Sequence, residues 1–240
     1  CATDYTSSVA LVVWAMQCGL TADMAFNAAI REGHLGVVKF FLCDHKWTKA
    51  APMPHTTEMC TSAAKHGHLE CLKCLHKFGF PCTTWTSYAA ASNGQLECLK
   101  YLRDHRCWST WSSYAAAKGG NIECLKYTFE LHPAEELHVT GLDASVGAAM
   151  GGNLQCLIYL LEHNCKCDER TCTWAAAGGH LKCLQYAFEH GCPWDKETCR
   201  AAAEGGHLKC LQYAHRNSCA CDERTFHLAA YNGHLECLKY

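Results

Sequence analysis

No stretch of this 240-residue chain is apolar for long enough to span a bilayer. The longest apolar run, Val9 to Met16, falls far short of the roughly 20 residues a membrane helix needs. No basic segment precedes it as in a secretory signal. It is expected to be a buried helix, and no membrane partner is expected. Charge bias is missing as well. A formal net charge of −2 provides neither the basic field that dominates nucleic-acid affinity nor an acidic tail, so no nucleic-acid partner is expected. The sequence also lacks a glycine-rich phosphate loop, a nucleophile elbow and a paired-carboxylate motif. These absences favour a protein that is not an enzyme and takes no cofactor.

Cysteine, by contrast, is abundant. Its 21 copies approach the level of a disulfide scaffold, but an odd number cannot pair completely within one chain. Placement decides their role, and placement follows from an internal repeat. The string Gly-His-Leu-x-Cys-Leu-x-Tyr recurs with its glycine at Gly33, Gly67, Gly94, Gly120, Gly152, Gly179, Gly206 and Gly233. The intervals are 34, 27, 26, 32, 27, 27 and 27, so the basic unit is 27 residues with two insertions.

Counting from that glycine separates two helices. Position −11 holds Asp168, Asp195 and Asp222, or Thr56, Thr83 and Ser109, all N-cap residues. Before the cap stands Cys167, Trp194 or Cys221, and five positions later Cys172, Cys199 or Phe226, the spacing of a hydrophobic staple. Helix A then buries −7, −4 and −3, with alanine at −4 in all eight repeats. Helix B presents apolar residues at +2, +4, +5 and often +8, one face of a helix. In the sixth repeat the two helices are predicted near 169–177 and 180–189. The insertions, Thr48 to Thr57 with Pro52 and Pro54 and Leu131 to Leu142 with Pro133, are predicted to be surface loops.

Gly-His-Leu-x-Cys-Leu preceded by Ala-Ala resembles the ankyrin repeat, whose pattern runs Ala-Ala-x-x-Gly-His-x-x-Val-Val. Phe226-His227-Leu228-Ala229-Ala230 stands where that family has Leu-His-x-Ala-Ala. The period of about 33 residues typical of the family is shortened here, which removes the room for a β-hairpin finger. The resemblance implies an all-α fold: a right-handed solenoid of stacked helix-turn-helix ankyrin-like repeats with hairpin fingers absent or vestigial. It also implies a single array of about eight repeats over residues 1–240, part of a longer chain, that binds another protein as a scaffold or substrate adaptor. Neither terminal repeat looks like a polar cap, so self-association through the repeat ends, as in a self-assembling structural protein, is a further expectation.

A third expectation, thiol-rich metal binding or redox chemistry, centres on Cys165, Cys167, Cys172 and His163, which put soft ligands close together. The repeat argues against it. Cysteine fills +4 in seven units, while Val37 fills it in the first, so it behaves there as a small buried hydrophobe. Equivalent positions in stacked helices lie about 8 to 10 Å apart, too far for a disulfide. Regular free thiols imply a reducing compartment, hence an intracellular, cytoplasmic protein. His34, His68, His180, His207 and His234 mark the repeat turn and read as helix-start contacts.

Positions −9, −6 and −2 vary most in chemical type, and their spacing places them on one stripe of helix A opposite its alanine face. Variation where the scaffold makes no demand marks a recognition surface. Its candidate residues are Trp85, Tyr88, Trp111, Tyr114, Arg170, Glu197, Arg200, Glu204, Arg224 and Tyr231. In ankyrin arrays the inner helix faces the concave side, so this face is where the resemblance puts the partner. The competing reading has the tryptophans packing under the adjacent turn and position −6 contacting the next repeat.

Overall fold

The computed structural model describes residues 2–17, 19–43, 57–130 and 137–240. Among them every regular element is helical: α1 (Ala2–Gln17), α2 (Ala22–Arg31), α3 (Leu35–Cys43), α4 (Thr57–Lys65), α5 (Leu69–Lys77), α6 (Thr84–Ser92), α7 (Leu96–Asp104), α8 (Ser112–Gly119), α9 (Ile122–Glu130), α10 (Leu137–Gly151), α11 (Leu154–Glu162), α12 (Glu169–Ala177), α13 (Leu181–Glu189), α14 (Lys196–Glu204), α15 (Leu208–Arg216), α16 (Glu223–Tyr231) and α17 (Leu235–Lys239). After α1, even-numbered helices are the A helices and odd-numbered ones the B helices. They fall into two compact units, residues 1–109 and 110–240.

The repeat glycine makes the turn. At all eight positions it lies at φ between 71° and 78°, a region that a side chain disfavours. The N–H of the next residue donates to the carbonyl of the alanine at −4, at 2.8 to 2.9 Å throughout. This is a Schellman closure of helix A, and it redirects the chain straight into helix B. At the other end Asp168 and Asp195 cap α12 and α14 by accepting the N–H of Arg170 (3.1 Å) and Glu197 (3.0 Å). Ser109 is not a cap: α8 begins only at Ser112, because residues 110 and 111 are taken up by a turn.

The core is built from small residues on the A helices and leucines on the B helices. Ala63, Ala90, Ala116, Ala148, Ala175 and Ala202 are fully buried, as are Leu72, Leu99, Leu125, Leu157 and Leu184 at +5. Alanine removes bulk where A helices meet, so neighbouring backbones approach closely; leucine then fills the space under the B helices. Position −8 is buried as well, at Thr86, Thr171, Thr198 and Thr225. The +4 cysteines from Cys71 to Cys237 are all buried and unpaired.

Several sequence expectations are corrected. Val9 to Met16 is helical but not buried: Leu11, Val13 and Trp14 are exposed, because only one side of α1 packs against the helices that follow. Leu137 to Leu142 is helix, not loop. Pro133 precedes α10, so the added residues lengthen an A helix at its N-terminus, where no ladder hydrogen bond is interrupted. The rest of both insertions, residues 48–56 and 131–136, lies outside the described residues. Of the staple residues, Trp194 stacks on Phe188 at 3.7 Å and Cys167 is disulfide-bonded to Cys192, whereas Cys221 and Phe226 line one cavity together.

Candidate functional site

Helix A has one outward row. In the first unit Trp85 at −9 is 69% exposed and meets Tyr88 edge-to-face at 5.5 Å. In the second unit Trp111 is 55% exposed, with Tyr114 at 5.8 Å. Further along that unit Arg170, Glu197, Glu204 and Arg224 are exposed, and Tyr231 is 81% exposed. Arg170 is oriented by Asp168 at 2.8 Å and by Asp143, on the preceding A helix, at 3.5 Å. Trp174 is a further exposed aromatic that the variability argument missed, because it stands at −5, outside the −9, −6, −2 spacing.

The three-position stripe splits. Positions −9 and −2 are about 20° apart around a helix, whereas −6 is rotated about 60° from −9, enough to reach the next repeat. Arg200, expected on the recognition surface, is 7% exposed. Its guanidinium pairs with Glu197 on its own helix and with Asp222, the N-cap of α16. Arg200 therefore fastens the seventh repeat to the eighth. Its guanidinium holds the Asp222 carboxyl down at about 2, well below the usual carboxylate range. Thr61 bonds Thr86 at 3.1 Å and Thr173 bonds Thr198 at 3.3 Å, −6 to −8 in both cases. Tyr88 and Tyr114 are half-buried, and the Tyr114 hydroxyl donates to Met150 Sδ at 3.4 Å.

His68, His180, His207 and His234 start the B helices as N-cap residues, but none of these rings caps its own helix. His68 Nε2 donates to the Arg31 carbonyl at 2.8 Å and His234 Nε2 to the Glu204 carbonyl at 2.9 Å, each capping the A helix of the repeat before. Asn153 does the same through Nδ2, to the Ala117 and Lys118 carbonyls. A Cβ on Gly206 would lie 2.5 Å from His234 Nδ1. The ring occupies the room that glycine leaves, so turn and histidine form one inter-repeat device.

The expected metal cluster does not assemble. Cys167 forms a disulfide with Cys192, with Cα atoms 5.4 Å apart. Cys172 points its thiol at the Cys192 carbonyl, Cys165 is buried, and His163 Nδ1 caps its own helix at the Tyr159 carbonyl, 2.7 Å away. Burial pushes the Cys165 and Cys172 thiols up to about 12. The bridge joins +15 of one repeat to +13 of the next. These positions are not equivalent, so the spacing argument against a ladder of equivalent cysteines does not reach them. Thiols do converge elsewhere, around Cys82. A hydrogen bond shared with Cys60, then burial, pushes the Cys82 thiol far above the ordinary range, and burial raises Cys107 to about 11.

Glycine-turned helix pairs, cross-tied at several turns and showing outward variable side chains in each unit, define an all-helical repeat protein. Family models for ankyrin repeats match residues 24–109 and 113–198 in the three-copy form and 199–240 in the many-copy form. The chain belongs to the ankyrin-repeat family. Among solved structures, the ankyrin repeat domain of human ASB11 is similar at a TM-score of 0.54 and 18% identity, covering 73% of this chain and 95% of that one. This is a likeness of fold. None of the curated proteins matches. No helix among the described residues is long and apolar enough to cross a membrane.

Proposed function

We propose that this ankyrin-repeat chain is a scaffold or substrate adaptor, not an enzyme, and that it binds a protein partner, rather than nucleic acid or membrane, on the outward row of its A helices. Ankyrin repeats are in general protein-interaction modules. The observation that carries the finer reading is the exposure of Trp85 in one unit and of Trp111 and Tyr231 in the other, at positions where the residue type varies from repeat to repeat. Exposed large aromatics are uncommon on a surface that nothing covers, and aromatics with arginine supply most interface hot spots. Within the second unit, Arg170, Glu197, Glu204 and Arg224 add a charged stretch that would select the partner.

The test replaces Trp85 and Trp111 together by serine and compares captured proteins with those of the unsubstituted chain. Loss of a specific interactor, with the melting temperature unchanged, supports the reading. An unchanged interactor set would place binding elsewhere. Self-association has its own support in the exposed Leu11 and Trp14 on α1. Light scattering against concentration checks it, and a strictly monomeric protein would remove it. The unpaired +4 thiols support an intracellular, cytoplasmic location, against which the Cys167–Cys192 bond stands.

A further inference from the structure

We infer that Cys60, His76, Cys82 and Cys107 form a binding site for one zinc(II) ion, tying the second repeat to the third within the first unit. A ring nitrogen of His76 and the sulfurs of Cys82 and Cys107 all lie within 4.8 Å of one another. Tetrahedral zinc, with bonds of about 2.3 Å to sulfur and about 2.0 Å to nitrogen, needs ligand atoms roughly 3.5 to 4 Å apart. Side-chain rotation covers the difference. Cys60 is fully buried, and its thiol interacts electrostatically with that of Cys82. Its thiol faces the Phe80 carbonyl at 3.6 Å and lies outside the converging three, so rotation of the Cys60 side chain toward them completes a Cys3His set. His76 Nδ1 is bonded to the Tyr101 hydroxyl at 2.8 Å, the kind of outer contact that orients a ligating imidazole. The three converging side chains are only half-buried, which leaves a path for the ion.

The repeat provides an internal comparison. Cys82 and Cys107 stand at +15 of one repeat and +13 of the next, the two positions that Cys167 and Cys192 occupy as a disulfide. Around that disulfide the counterparts of Cys60 and His76 are Ser145 and Leu161, which offer no soft donor. In the sixth repeat Phe188 and Trp194 fill the His76 and Cys82 positions and stack on each other. The seventh repeat restores the donor types: Cys199, His215, Cys221 and Tyr240 reproduce the sequence spacing of Cys60, His76, Cys82 and Tyr101. There again His215 Nδ1 bonds the tyrosine hydroxyl, at 3.2 Å, and His215, Cys221 and Tyr240 line a cavity of about 60 Å³. A histidine on the same tyrosine contact thus accompanies a cysteine at the Cys60 position in two repeats, and both are absent where the thiol pair is oxidised. Binding displaces the three thiol protons, so the ion and its four ligands carry one net negative charge.

Cobalt(II) serves as the probe, titrated into the full 240-residue chain under reducing conditions without oxygen. The expected result is the visible absorption of tetrahedral, thiolate-bound cobalt, bleached by one equivalent of zinc for each cobalt bound. Cys82→Ser and Cys107→Ser should each remove one equivalent, and His76→Asn should weaken zinc retention at least tenfold. Cys183→Val, at a buried thiol outside the cluster, should change neither. Circular dichroism on each variant separates loss of the site from loss of the fold. The inference is overturned if the reduced, folded protein shows no tetrahedral band, or if the band survives Cys82→Ser in full. It is equally overturned if Cys82 and Cys107 are found only as a disulfide whose reduction yields no metal binding.

Discussion

Pulsed alkylation of Cys183 tests the core of the repeat directly. Its thiol is fully buried at +4, and burial raises it from 9.0 to about 11. At pH 8 a thiol titrating at 9 is about one-tenth thiolate and one titrating at 11 about one-thousandth, so ionisation alone slows reaction by roughly 100-fold. Inaccessibility adds to that, because the reagent reaches Cys183 only when the helix pair opens. The factor of 100 is therefore a floor. Cys172, raised to about 12 and fully buried, should be slower still. Cys43, at the exposed end of α3, is the internal reference for an accessible thiol. The assay is a timed pulse of iodoacetamide, quenching, denaturation, a heavy-isotope second reagent, and peptide mass spectrometry. Should Cys183 label in the folded protein within about tenfold of its rate in denaturant, the account of +4 as a buried hydrophobic position is wrong.

Replacing Cys183 by Ser should destabilise by about 1 to 3 kcal/mol, since a hydroxyl enters an apolar site with no assured partner, whereas Val should cost under about 1.5 kcal/mol; equal tolerance in urea unfolding would contradict burial. Breaking Cys167–Cys192, which closes 25 residues of chain, by Cys167→Ser should cost about 3.5 kcal/mol, measured in the same way without reductant. Because the Asp222 carboxyl is depressed to about 2, its pairing with Arg200 stabilises fully above the unfolded carboxylate value of about 3.9 and is lost as pH falls toward 2. The difference in melting temperature between the chain and Asp222→Asn should thus be constant from pH 5 to 8 and shrink below pH 4. A difference that persisted undiminished at pH 2 would mean that the ion pair is not its source.

The amino-acid sequence by itself determined the repeat and the helices within it. Glycine at the turn and alanine four before it are coupled by one local backbone closure, and local closures leave a fixed spacing that can be counted. For that reason α12 and α13 fall within a residue of the ranges expected for them. The outward placement of Trp85 and Tyr231 was legible for a similar reason: helical geometry alone fixes which positions oppose the alanine face.

What crosses from one repeat to the next was decided only by the tertiary structure. Arg200 differs from its exposed neighbours by a rotation of about 60°, which has no consequence until another A helix stands on that side with Asp222 at its cap. His68 reads as the start of its own helix, yet its ring spends its hydrogen bond on a carbonyl 37 residues earlier. Cys167 looks like a partner for Cys165 and Cys172 because they are close along the chain. It pairs instead with Cys192, while His76, Cys82 and Cys107 meet across as many as 31 residues. Periodicity states which residues are equivalent, and equivalent residues are the ones stacking keeps apart. The residues that touch are offset from equivalence by the rise and twist between successive helix pairs, a quantity set by packing and not written in the spacing of any motif.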